Sequence, residues 1–116
     1  WDTTVVENET DRLLVAFAPD LSPRSLTFRV RADRFPADLR LTIGDGSGWR
    51  WAAPVVAGSS TEWATVTVPL VQFRPLEADS PLSPRMVRLL EIEDLSGLLL
   101  ADRGANTVWF DDLEIR

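Results

Sequence analysis

The sequence contains no cysteine, no histidine, no tyrosine and no lysine. Without cysteine there is no disulfide framework, no zinc ribbon and no thiol chemistry, and the redox compartment leaves no trace. Without histidine, cysteine, lysine or tyrosine, an enzyme would have to work with carboxylates, hydroxyls and arginine alone. A paired-carboxylate hydrolase is formally open to a chain with 18 acidic residues. No pair is singled out by its surroundings, however, and Asp111 and Asp112, adjacent in a strand, should point apart. We therefore read the chain as non-enzymatic. Long apolar runs are missing too: none approaches a membrane-spanning helix, and nothing resembles a signal peptide. Twelve basic residues, all arginine, face those 18 acids, giving a net charge of -6. That balance argues against a nucleic-acid backbone or an anionic membrane as partner, and solubility is its simplest role.

What is present is a core. Of 116 residues, 45% are hydrophobic, enough for one domain spanning 1–116. The first residue is Trp rather than Met, so we expect a processed product or a piece of a longer protein. The organising stretch is the last ten residues, T-V-W-F-D-D-L-E-I-R. Val108 and Phe110 alternate with Trp109, the phase slips at Asp111-Asp112, and Leu113 and Ile115 resume it. A period of two that shifts by one residue predicts a β-bulge in a central strand.

Other runs read the same way. Trp1–Val6 and Leu13–Phe17 suggest a hairpin or looped strand pair, and the chain breaks at Asp20–Pro23. Leu26, Phe28, Val30 and Ala32 alternate with Thr27, Arg29 and Arg31, and Leu39, Leu41 and Ile43 with Arg40 and Thr42. Gly44–Gly48 holds three glycines in a tight loop, but no lysine or helix follows, so a phosphate cradle is rejected. Trp49–Val56 reads as the return strand, with Trp49 and Trp51 on one face. A turn at Gly58–Thr61 leads to a strand over Glu62–Leu70, on which Trp63 has the parity opposite to Val66, Val68 and Leu70. Gln72–Pro84 is irregular, Met86–Asp94 is a strand with Leu90 and Ile92 inward, and Ser96–Asn106 is a partly packed loop. Eight short runs with turns between them and no convincing amphipathic helix predict an all-β antiparallel sandwich or barrel.

The segments D-L-S-P-R-S-L-T-F-R-V-R-A-D (Asp20–Asp33), L-R-L-T-I-G-D-G-S-G-W-R-W, T-E-W-A-T-V-T-V-P-L (Thr61–Leu70) and G-A-N-T-V-W-F-D-D-L-E-I-R occur in that order. Together they resemble the galactose-binding-like β-jelly-roll of carbohydrate-binding modules appended to bacterial glycoside hydrolases. The likeness spans most of residues 20–116, through short motifs. It implies a non-catalytic module that brings an attached enzyme or surface protein to a polysaccharide or oligosaccharide. Its partners would be that glycan and the other domains of the parent protein, in a secreted or cell-surface, bacterial setting. It also implies a structural calcium ion near the closing strand, at Asp111 or Asp112; otherwise one of these carboxylates binds backbone N–H groups freed by the bulge.

Sugar rings stack on exposed aromatic faces and accept hydrogen bonds from polar side chains. Trp49 and Trp51, about 7 Å apart on one strand face, are the first candidates for a platform, beside the loop carrying Asp45. Trp109 would add to it, and Arg29, Arg31 and Arg40 would contact hydroxyls if they line the same concave sheet. A tryptophan in a sandwich this small is by default core, the first reading for Trp63 and Trp109. For Trp49 and Trp51 both faces stay open. The arginine row is by default a solvated face with charged partners. The alternative function is a structural or protein-interaction sandwich without a glycan site.

Overall fold

The computed structural model describes residues 1–6, 9–18, 22–58, 62–99 and 104–116, the side chains of Val5 and Leu99 excepted. Of the expected turn at Gly58–Thr61 all but Gly58 lies outside the described residues, as do the first two residues of the break at Asp20–Pro23 and the segment 100–103.

Alternation builds the two best strands. In β3 (Ser25–Ala32), Leu26, Phe28, Val30 and Ala32 are fully buried and Thr27, Arg29 and Arg31 lie on the other face. In β4 (Ala37–Gly44), Ala37, Leu39, Leu41 and Ile43 are buried in the same way. These strands do not pair. β3 belongs to a four-stranded sheet ordered β1 (Asp2–Val5), β10 (Gly104–Ile115), β3 and β7 (Ala64–Pro69). β4 belongs to a six-stranded sheet ordered β2 (Asp11–Ala16), β9 (Leu89–Asp94), β4, β5 (Arg50–Ala52) and β8 (Arg74–Pro75), with β6 (Val56–Gly58) also on β4. Every pairing is antiparallel. The fold is an antiparallel β-sandwich, and its core is the interleaved inner faces. Leu26, Phe28, Val30, Val68 and Val108 come from one sheet; Leu39, Leu41, Ile43, Trp51, Leu90 and Ile92 come from the other.

Four expectations need correction. The first two runs are not a hairpin: β1 pairs with β10 and β2 with β9, in different sheets. Thr3 Oγ1 instead donates to buried Asp94 Oδ2 at 3.1 Å, tying one sheet to the other. The return strand is broken, because β5 ends at Ala52 and β6 starts at Val56. Pro54 between them has no N–H for a ladder, although both pieces still pair with β4. A 3-10 turn closes β7 at Leu70–Gln72, and a single α-turn, Ser96–Leu99, opens the segment read as loop. There are ten strands among the described residues rather than eight, the extra ones being two- and three-residue pieces.

The closing strand does sit inside its sheet, between β1 and β3, and it bulges where the phase slips. Asp111 pairs with Arg29 and Glu114 with Thr27, so three steps on β10 match two on β3. The extra residue is accommodated at Asp112, whose φ of 51° lies in the left-handed region that aspartate tolerates better than most residues.

Candidate functional site

The tryptophans divide between core and surface: the pair named first for a platform turns inward, and Trp63 and Trp109 face out. Trp51 is wholly buried, opposite Ile43, and its indole N–H donates to Pro81 O at 3.0 Å. Trp49, on the same parity, is half-buried against the core. The face they share is the inner one, so they form no platform. Asp45 closes its own loop, accepting from Ser47 N at 2.8 Å and Ser47 Oγ at 2.6 Å. Arg40 is on the outer face of the six-stranded sheet, paired with Glu93 at 2.7 Å, and so lies on the opposite side of the molecule from Arg29 and Arg31.

Trp63 and Trp109 are the exposed ones, at 41% and 47%. Both lie on the outer face of the four-stranded sheet. β10 places Trp109 opposite Arg31, and the β3–β7 register, with Val30 opposite Ala64, brings Trp63 up on the other side. The Arg31 guanidinium carbon is 5.6 Å from the Trp109 ring centre and 5.8 Å from that of Trp63. Arg29, one row along, is 5.1 Å from Trp63 and 3.7 Å from the Asp111 carboxylate. The structure thus assembles three expected residues, Trp109, Arg29 and Arg31, with Trp63, which sequence reasoning had assigned to the core. Its parity, opposite to Val66 and Val68, was the signal that it faces out.

Beside this row the bulge opens a cavity of about 390 Å³, lined by Thr27, Phe28, Arg29, Thr65, Asp112, Glu114 and Arg116. The lining is mostly hydroxyls, carboxylates and guanidinium groups. Several of these groups already have partners: Arg116 Nε donates to Glu114 Oε2, Thr27 Oγ1 donates to Thr67 Oγ1 at 3.3 Å, Arg29 faces Asp111 at 3.7 Å, and the Asp112 N–H donates to Asp111 Oδ1 at 2.9 Å. An aromatic row beside a polar hollow can hold the flat C–H face of a ring while hydrogen-bonding its hydroxyls.

Calcium fits these residues poorly. It takes six to eight oxygen ligands, whereas among the described residues no three acidic side chains come together to hold an ion. Asp111 already faces the Arg29 cation. This matches the other expectation, a carboxylate bonded to the bulge backbone.

The outer face of the six-stranded sheet carries a smaller polar hollow, of about 100 Å³, lined by Arg40, Thr42, Arg50, Ala52, Leu76, Glu91 and Glu93. Its charges are internally satisfied: Arg40 with Glu93, Arg50 with Glu77 at 3.0 Å, and Arg12 with Glu91 at 3.8 Å. Burial, together with the hydrogen bond and charge of Glu93, raises the Glu91 carboxyl above its usual range. Burial also pushes Glu93 up, but the hydrogen bonds from Arg40 and Glu91 and the charges of Arg40 and Arg12 outweigh it and hold Glu93 low.

No protein-family model matches the chain, and no curated protein matches it. Among solved structures, a family 11 carbohydrate-binding module from Clostridium thermocellum, in complex with a β-1,3-1,4-mixed-linked tetrasaccharide, superposes with a TM-score of 0.65. The match covers 97% of this chain and 71% of that one at 14% identity. At that identity the likeness is one of fold, and this chain has a β-jelly-roll architecture.

Proposed function

We propose that the chain is a non-catalytic carbohydrate-binding module that takes up a polysaccharide or oligosaccharide on the outer face of its four-stranded sheet. The observation that carries this reading is the solvent-facing row Trp109–Arg31–Trp63, set across β10, β3 and the residue that leads into β7, beside the bulge cavity. Trp63 and Trp109 would stack on sugar rings, and Arg29, Thr27, Thr65, Asp112 and Glu114 would meet hydroxyls. The module would work outside the cell by recruitment, raising the local concentration of an attached enzyme or surface protein at its glycan.

One feature of the closing strand supports the choice of face. Without Asp112 the sequence would alternate without interruption: Trp109 out, Phe110 in, Asp111 out, Leu113 in, Glu114 out, Ile115 in. The core therefore has no need of the extra residue, and Asp112 instead lines the cavity.

A second reading follows from the same row. Each exposed indole already has a guanidinium over it, and such stacking can serve only to hold a structural or protein-interaction sandwich together. Calorimetric titration against a panel of soluble polysaccharides separates the two. Saturable binding weakened about tenfold or more by Trp109→Ala or Trp63→Ala, with folding intact, is the expected result. No binding across the panel would leave the stack a structural device.

A further inference from the structure

On the outer face of the four-stranded sheet, the arginines differ in what they touch. Arg29 has Asp111 within 3.7 Å, and Arg116 has Glu114. Among the described residues no hydrogen bond or ion pair joins the Arg31 guanidinium to an oxygen, and its Nε is buried without a hydrogen bond. Two indoles hold its guanidinium from either side. A cation kept rigid and half-dehydrated without an acceptor is costly unless something else supplies one. With Nε covered, the terminal amino groups are the donors left, and their fork matches a carboxylate two bonds at a time. A neutral hydroxyl would use one donor and leave the charge uncompensated.

We infer, resting on the glycan reading above, that this face selects an acidic glycan, with a uronate carboxylate seated on Arg31. The acidic groups must be sparse on an otherwise neutral backbone. The neighbouring cavity is lined by two acids, Asp112 and Glu114, and by two arginines, Arg29 and Arg116, that already face carboxylates of their own; it offers no unpaired cation to a second carboxylate and suits a neutral ring. The net charge of -6 likewise opposes any polyanion at long range. The attraction is therefore local to Arg31, and a single substitution removes it.

The test titrates the 116-residue chain against acidic polysaccharides, each paired with its carboxyl-reduced form: glucuronoxylan, xanthan and alginate. Mixed-linked β-glucan is the neutral control. The expected result is binding to the acidic member of at least one pair, with affinity lost on reduction. Glucuronoxylan, with isolated acidic side groups, should bind better than uniformly charged alginate. Arg31→Gln should weaken acidic binding about 10- to 100-fold, the scale of a charged hydrogen-bonded contact. It should weaken binding to the acidic form far more than to its reduced partner. Arg31→Lys keeps the charge without the fork; should the glutamine variant not fold, it is expected to lose about tenfold on its own. Equal binding within every pair, or binding to β-glucan alone, would overturn the acidic class while leaving glycan binding intact. No binding to any of these polymers would overturn both.

Discussion

Trp51 and Trp109 make opposite uses of one side chain. Trp51→Ala removes a buried indole and its bond to Pro81 O, and should cost about 3–5 kcal/mol, read as a large drop in denaturant midpoint. Trp109→Ala removes an exposed ring and one cation–π contact, and should cost about 1 kcal/mol or less. Parity placed these residues correctly relative to their neighbours in sequence but not relative to the core. Nothing in W-R-W says whether the face shared by Trp49 and Trp51 is the inner one, because that depends on which strands flank β5. Arg40 shows a different limit. Its alternation with Leu39 and Leu41 was legible, but its separation from Arg31 into another sheet was not. Its ion pair gives a pH-dependent prediction. Glu93 titrates low when folded, so the pair stabilises above the unfolded glutamate range and is lost as pH falls through the folded value. Arg40→Ala should therefore cost about 0.2–1 kcal/mol at neutral pH, discounted because Arg40 is half exposed. The difference should shrink in thermal melts as the pH is taken below the unfolded glutamate range.

At the level of the element, the bulge in β10 is the informative one. Deleting Asp112 should leave a regular strand in the same register, with Glu114 still opposite Thr27 and Ile115 still opposite Leu26. We expect the deletion variant to fold with unchanged far-ultraviolet circular dichroism, to lose the cavity, and to lose glycan binding. Deleting Trp109 instead would reverse the facing of Val108 or Phe110 and should unfold the chain. The position of the bulge was readable from the phase slip, since the core enforces parity on both sides of it. The cavity was not, because its other wall, Thr27, Arg29 and Thr65, comes from strands whose register against β10 is set only in the folded sheet. The broken return strand was missed for a similar reason. Two three-residue pieces can share one partner, and Trp49–Val56 shows no gap except Pro54.

Across the whole molecule, the two sheets are joined by their buried faces and, among the described residues, by polar ties such as the enclosed bond from Thr3 to Asp94. Asp94→Ala should destabilise by about 1–3 kcal/mol, since Thr3 Oγ1 and the Ser96 N–H, 2.9 Å away, both lose a buried acceptor. Calcium should not shift the unfolding midpoint relative to a chelator, given the poor donor set at Asp111 and Asp112.

The division of the tryptophans has an optical consequence. Trp51 sits in a dry environment, Trp1 and Trp49 are half-buried against the core, and Trp63 and Trp109 border the proposed ligand face. Emission from this chain is therefore a sum of separable populations. A collisional quencher reaches the two outer indoles first and the blue-shifted inner one only when the sandwich opens. One unlabelled cuvette can thus report occupancy of the outer face at the red edge of the spectrum and integrity of the core at the blue edge.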